Sequence, residues 1–283
     1  MTALADRVLE LAALPAGEPL PPEAQEVVRE LLTALEIGAV RAAERDAQGR
    51  WTAVPWVKRG ILLGFRAGAM ADMSIPDGPG ARFSFIDKNT FPARTFAVVD
   101  GVRIVPGGST IRRGTYVAPG VVCMPPMFVN VGAWIGSGTM VDSHALVGSC
   151  AQIGERVHLS AAAQIGGVLE PVNASPVVIE DDVLVGGNCG VYEGTVVRER
   201  AVLAAGVVLT RGTPVFDLVR EQVYRGTPDA PLEIPAGAVV VPGARAVSGG
   251  WGAQQGLSLQ APVIVKYRDQ KTDIATALEG WLR

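Results

Sequence analysis

Residues 111–165 read IRRGTYVAPGVVCMPPMFVNVGAWIGSGTMVDSHALVGSCAQIGERVHLSAAAQI, and their spacing decides the fold. Stepping by six from Ile111 lands on Val117, Cys123, Val129, Ile135, Val141, Val147, Ile153, Leu159 and Ile165, without a polar interruption. Four residues after each of the first nine come Thr115, Val121, Met127, Ala133, Thr139, Ala145, Ala151, Val157 and Ala163, most of them small. A helical period of 3.6 cannot hold a six-residue spacing in phase, whereas short strands joined by tight corners can. The segment therefore reads as a β-solenoid of hexapeptide repeats, with aliphatic residues inside and small residues permitting the corners. Beyond GGVLEPVNASPVV (166–178) the frame resumes at Ile179, Val185, Val191, Val197, Leu203 and Leu209, giving sixteen hexads, with the break read as a two-residue slip. Three hexads per triangular coil make about five coils, a prism ~25 Å tall at ~4.8 Å per parallel strand.

The flanks follow another grammar. Residues 1–102 read as an α/β domain, 103–240 as the solenoid, and 241–283 as a tail of strand and helix; the flanks supply the caps that open prism ends require. PPEAQEVVRELLTALEI (21–37) places Val27, Val28, Leu31, Leu32 and Leu35 on one helical face, with Gly38 where a left-handed residue would end the helix. The first residues, MTALADRVLELAAL, form an amphipathic helix pattern that carries acids, unlike a signal peptide. Around Pro55 and Gly60 the pattern predicts a short helix near Val57 and a strand near Leu62.

Composition excludes several classes of function. The net charge of −3 lacks the basic excess of a nucleic-acid binder, so nucleic acid is not an expected partner. No run approaches the ~20 apolar residues of a membrane helix, so no membrane association is expected. Cys123, Cys150 and Cys189 are too few and too dispersed for a disulfide framework, which points to a reducing compartment and a cytoplasmic location. With two histidines, His144 and His158, a three-histidine zinc site of the kind some hexapeptide prisms carry is hard to assemble, and no metal is expected. No Gly-rich phosphate loop near the N-terminus suggests a nucleotidyltransferase.

Longer strings carry a resemblance. MVDSHALVGSCAQIG (140–154), HLSAAAQIGGVLEP (158–171) and VIEDDVLVGGNCGVYEG (178–194) resemble the tetrahydrodipicolinate N-succinyltransferase family, a group of hexapeptide-repeat transferases. So do ALEIGAVRAAERDAQGRW (34–51), PWVKRGILLGFR (55–66), VRIVPGGSTIRRG (102–114) and APVIVKYR (261–268), so the likeness covers nearly the whole chain. The resemblance implies a mainly β fold, a left-handed parallel β-helix with an N-terminal α/β domain and a short C-terminal β/α tail. It also implies a homotrimer with active sites between neighbouring prisms. The implied activity moves succinyl from succinyl-CoA, a co-substrate rather than a tightly bound cofactor, to the amine of tetrahydrodipicolinate in its opened 2-amino-6-oxopimelate form, in diaminopimelate and lysine synthesis.

Amine acylation by a thioester needs an amine that has lost a proton, a polarised carbonyl and the two held in line. Asp142 and Glu193 match the family's acidic candidates, with Asp142 expected to engage the acceptor amine. Asp142 also occupies a corner position where aspartate has a structural use. The hexad count puts the two acids eight-thirds of a coil apart, ~13 Å along the axis, too far for a touching pair within one prism. Arg103 matches a substrate-binding position, where a guanidinium suits a dicarboxylate acceptor. Lys266, Arg268 and Lys271 form a basic cluster expected near the CoA phosphates, with Tyr267 standing where the family tends to have another lysine. Arg112 and Arg113 read as solvated corner charges, His144 and His158 carry no assigned role, and Cys123 and Cys189 read as inward core residues. Competing readings are an acetyl-CoA-dependent N-acetyltransferase on the same acceptor and a non-catalytic trimeric scaffold.

Overall fold

The computed structural model describes residues 2–76, 82–227 and 230–269. From Arg103 onward the chain winds as a parallel β-helix of short rungs, and from Thr110–Ile111 to Glu233–Ile234 the second residue of each two-residue rung points inward. Face 1 stacks Arg103–Ile104, Val122–Cys123, Met140–Val141, His158–Leu159, Leu184–Val185, Val202–Leu203 and Ala238–Val241. Face 2 runs from Thr110–Ile111 through Phe128–Val129, Leu146–Val147, Gln164–Ile165 and Gly190–Val191 to Val208–Leu209. Face 3 runs from Tyr116–Val117 through Trp134–Ile135, Gln152–Ile153, Val178–Ile179 and Val196–Val197 to Glu233–Ile234. The inward residues make one continuous core, with Cys123 and Cys189 inside it as the periodicity requires. Burial pushes the Cys123 thiol up to about 12, so it packs as a small apolar group.

Two features differ from the periodic reading. The prism has just over six coils, ~29 Å tall, because Arg103–Ile104, Glu233–Ile234 and Ala238–Val241 are rungs outside the unbroken six-residue frame. The break after Ile165 is an eight-residue insertion at one corner rather than a two-residue slip. Gln152 pairs with Val178, His158 with Leu184 and Gln164 with Gly190, each 26 residues on, where Val122 pairs with Met140, 18 on, so 26 − 18 = 8. Fourteen residues between Ile165 and Ile179 fit two hexads plus two or one hexad plus eight, and only the ladder distinguishes them.

The inserted corner closes against Gly148. A Cβ there would lie 2.1 Å from the backbone nitrogen of Gly167 and 2.5 Å from its Cα, and neither can move without shifting the strand ends. Gly148→Ala is expected to destabilise the fold by about 1–3 kcal/mol, the usual cost of overpacking, read as a lowered thermal midpoint by circular dichroism. An unchanged midpoint would show that the corner yields.

The N-terminal region packs α1 (Thr2–Ala12), α2 (Glu23–Glu36) and α3 (Pro55–Ala67) around Val8, Val28, Leu31, Val57 and Ile61. Helix α2 buries the face read from its sequence, and Gly38 has φ 74° beyond its end. Leu62 is not in a strand: α3 runs unbroken through it. Gly60 and Gly64, one turn apart, let α3 lie against its neighbours, since a Cβ on them would sit 2.3 Å from Leu31 and 2.6 Å from Phe91. Close packing here overrides the weak helix propensity of glycine. Val131 and Cys150, from corners between faces 2 and 3, complete this core.

Arg112 and Arg113 are not solvated. Arg112 pairs with Asp87, and Arg113 grips Glu36 with Nε at 3.0 Å and Nη2 at 3.2 Å, so both join prism to N-terminal region. At the far end Val263–Tyr267 runs antiparallel to Ala238–Val241 and closes the prism. There Tyr267 donates to Asp217 at 2.6 Å. A short helix, Gly250–Gln254, precedes that strand, and the helix expected at the end of the tail lies outside the described residues.

Candidate functional site

Asp142 follows the face 1 rung Met140–Val141 and opens the corner into face 2. Its Oδ1 accepts the Ser143 N–H at 2.7 Å, the corner bond expected of an aspartate there. Its Oδ2 is turned along face 1 and lies 3.9 Å from His158 Nε2, with the imidazole 17% exposed and the carboxylate 30%. One oxygen therefore holds the corner while the other is presented beside an imidazole. The sequence reading gave His158 no role. Its place one rung below Met140, 18 residues on, was nevertheless available from the period. His144 is exposed at the same corner with φ 62°, and its N–H donates to the Pro126 carbonyl.

Glu193 follows the face 2 rung Gly190–Val191 and sits at the next corner, between faces 2 and 3, with φ 54°. Its Oε2 accepts the backbone N–H of Arg211 at 3.0 Å. It lines a cavity of about 490 Å³ with Tyr192, Arg211 and, from the inserted corner, Gly167, Glu170 and Ala174. The buried Lys58 of α3 donates to the Ala174 carbonyl at 2.5 Å, and Ser175 donates to the Trp51 carbonyl at 3.2 Å, so the N-terminal region anchors the cavity's wall. Burial lowers the Lys58 pKa. With the insertion placed, Asp142 and Glu193 are seven-thirds of a coil apart, ~11 Å along the axis, and the width of face 2 separates them. They do not meet within one prism.

Arg103 lies exposed on face 1, two rungs above Met140, or ~10 Å along the axis. Lys266 lies on the closing strand five steps the other way, ~24 Å from that rung, and pairs with Asp269 at 3.3 Å. Arg268 donates from Nη1 to the Asp182 carbonyl at 2.8 Å and the Arg200 carbonyl at 3.4 Å. Lys271 lies outside the described residues. One chain thus spreads these residues along a face and two corners.

A second cavity, of about 690 Å³, lies where the hairpin Ala43–Arg45/Trp51–Ala53 meets face 3. Arg41 sits over the Trp134 ring at 4.1 Å and the Trp51 ring at 5.1 Å, and its Nε donates to Gln152 at 2.6 Å. Burial, assisted by Arg45, lowers the Arg41 pKa to about 10. Glu180, 6% exposed, accepts from Arg45, Trp51 and Arg198 at 2.9 Å each and from the Glu199 N–H at 3.1 Å. These groups satisfy one another, so they bolt the hairpin to the prism. Neither Asp142 nor Glu193 lines this space.

Residues 13–67 match the family model for the tetrahydrodipicolinate N-succinyltransferase N-terminal region, and residues 176–211 match that for the hexapeptide repeat of succinyl-transferase. A protein of Nitrobacter hamburgensis named 2,3,4,5-tetrahydropyridine-2,6-dicarboxylate N-succinyltransferase is 43% identical, over 92% of this chain and 90% of its own. One of the same name from Polynucleobacter asymbioticus is 39% identical, over 94% of this chain and 92% of its own. A solved structure from Campylobacter jejuni, described as a 2,3,4,5-tetrahydropyridine-2-carboxylate N-succinyltransferase, superposes with a TM-score of 0.51 at 17% identity, covering 84% of this chain and 62% of the other. At that identity the likeness speaks for the fold, the left-handed parallel β-helix.

Proposed function

We infer that this chain, which belongs to the tetrahydrodipicolinate N-succinyltransferase family, transfers succinyl from succinyl-CoA to the amine of tetrahydrodipicolinate in its opened 2-amino-6-oxopimelate form. The reaction serves diaminopimelate and lysine biosynthesis. The observation that carries this reading is the 43% identity across 92% of the chain. Side-by-side rates with succinyl-CoA and acetyl-CoA on one acceptor test it, and a preference for acetyl-CoA would overturn the donor. Stabilisation by CoA in a thermal melt is expected as well, which a non-catalytic scaffold would not show.

The working unit is a homotrimer. Asp142 and Glu193 occupy the two corners that bound face 2, so turning face 2 toward a threefold axis, with the prisms tilted against one another to close the ~11 Å axial offset, brings the Asp142 corner of one prism beside the Glu193 corner of the next. Val98, Val99, Trp251 and Leu259, each at least 68% exposed, are apolar surface of the kind that assembly covers. A species of monomer mass with full activity in light scattering would refute the trimer. The step is assigned to the cytoplasm, and no helix among the described residues is long and apolar enough to cross a membrane.

In the reaction Asp142 takes a proton from the acceptor ammonium, the freed nitrogen attacks the thioester carbonyl, and the C–S bond breaks, with CoA leaving as its thiol on the second proton that the nitrogen gives up as it becomes an amide. Glu193 borders the same cleft from the neighbouring prism. Lys266 and Arg268, with Lys271 beyond the described residues, are assigned to the CoA phosphates in this reading; Arg268 Nη1 donates to the Asp182 and Arg200 carbonyls. Arg103 holds an acceptor carboxylate two-pronged. Arg103→Lys, keeping the charge and losing the fork, is therefore expected to raise the acceptor KM about tenfold or more while the donor KM stays within about twofold. Steady-state kinetics with each substrate varied in turn reads this, and an unchanged acceptor KM would return Arg103 to a structural role.

A further inference from the structure

We propose that Arg211 binds the free carboxylate of the succinyl donor, in the cavity it shares with Glu193; this rests on the succinyl-transfer reading above. The inserted corner walls one side of that cavity and Tyr192, Glu193 and Arg211 the other, and Arg211 is the basic residue among its described lining residues. Two carboxylates, Glu170 and Glu193, also face the space. An incoming dicarboxylic half-thioester therefore needs a cation there, and a guanidinium offers two parallel donors to a carboxylate.

The backbone of Arg211 is fixed on both sides. Its N–H donates to Glu193 Oε2 at 3.0 Å, and its carbonyl accepts the Gly226 N–H at 3.1 Å. Its side chain leaves along Gly226, where a Cβ would lie 2.7 Å from Arg211 Cγ. Its guanidinium makes no ion pair among the described residues, in contrast to Arg112, Arg113, Arg156 and Arg198. A rigid base with an uncommitted head is a preorganised anion receptor.

The distances suit the donor. In a succinyl thioester the reacting carbonyl carbon and the carboxylate carbon are separated by three carbon–carbon bonds of ~1.5 Å, a span of roughly 4 Å. With the reacting carbonyl near Glu193, the charged end falls within reach of the residue whose own N–H touches Glu193. An acetyl donor ends in a methyl group and gains nothing from Arg211.

The test measures kcat/KM for succinyl-CoA and acetyl-CoA on wild type, Arg211→Met and Arg211→Lys, each pair on one preparation so that the donor ratio is independent of the folded fraction. Arg211→Met is expected to lose about 10- to 100-fold with succinyl-CoA, the loss of a charge-assisted pair, while acetyl-CoA changes less than about threefold, and Arg211→Lys falls between. A donor ratio in Arg211→Met equal to wild type overturns the assignment. Wild type lacking any preference for succinyl-CoA overturns instead the donor reading on which the assignment stands.

Discussion

Asp142→Asn is expected to keep the prism folded and lower kcat by ~100-fold or more, the range of general acid–base catalysis. The substitution retains the Oδ1 that accepts the Ser143 N–H, so the corner stays closed. It removes the negative charge beside His158, at the oxygen that is free to meet an ammonium. A corner role and a chemical role thus separate on kcat per folded trimer. If Asp142 serves only the fold, Asn leaves both the melting temperature and kcat per folded trimer intact; if it serves proton transfer, the melting temperature holds and kcat collapses. Retained turnover in a folded trimer would remove Asp142 from the chemistry and leave Glu193→Gln as the leading test.

Complementation gives the second large effect. Trimers built wholly of Asp142→Asn chains, or wholly of Glu193→Gln chains, are expected to be nearly inactive. After dissociation and reassembly of an equal mixture, about a quarter of sites pair an intact Asp142 from one chain with an intact Glu193 from its neighbour, because in the proposed cyclic trimer each site draws on two chains. Activity should rise to about a quarter of wild type, well over tenfold above either parent at the ~100-fold losses assumed. If both acids of a working site came from one chain, every reassembled site would carry a substitution and no recovery would follow. The separation of the two corners by face 2 favours recovery.

The solenoid was legible because a six-residue spacing carried through ten consecutive core positions leaves no other regular backbone. Its length was underestimated where rungs lie outside that frame, as at Arg103–Ile104, and its break was misread because Ile165 to Ile179 satisfies two arithmetics. The strand expected at Leu62 failed because Gly60 reads locally as a breaker, while its use, with Gly64 one turn on, is to admit Leu31 and Phe91. At the site, Asp142 and Glu193 were visible as motif residues, but their neighbours were not. His158 beside Asp142 follows from an 18-residue coil, as does Arg211 below Glu193, since 193 + 18 = 211. That second period was latent in the first. Arg41 between Trp51 and Trp134 had no such signal, because side chains 93 positions apart meet only through how the hairpin docks.

The inserted corner at 166–177 leaves every later rung in register, so the prism treats added length there as a side branch. Closing a longer loop costs little, about 0.6 kcal/mol for each doubling of its length. The wall of the Glu193 cavity can therefore be lengthened, shortened or rewritten by evolution between Val168 and Val177, the inserted residues that reach the core, without shifting the rungs. A scaffold with such a junction separates the inheritance of shape from the inheritance of taste: descendants sharing every rung are free to diverge in the acyl group they accept, and changes confined to these few positions are where a search for altered donors should begin.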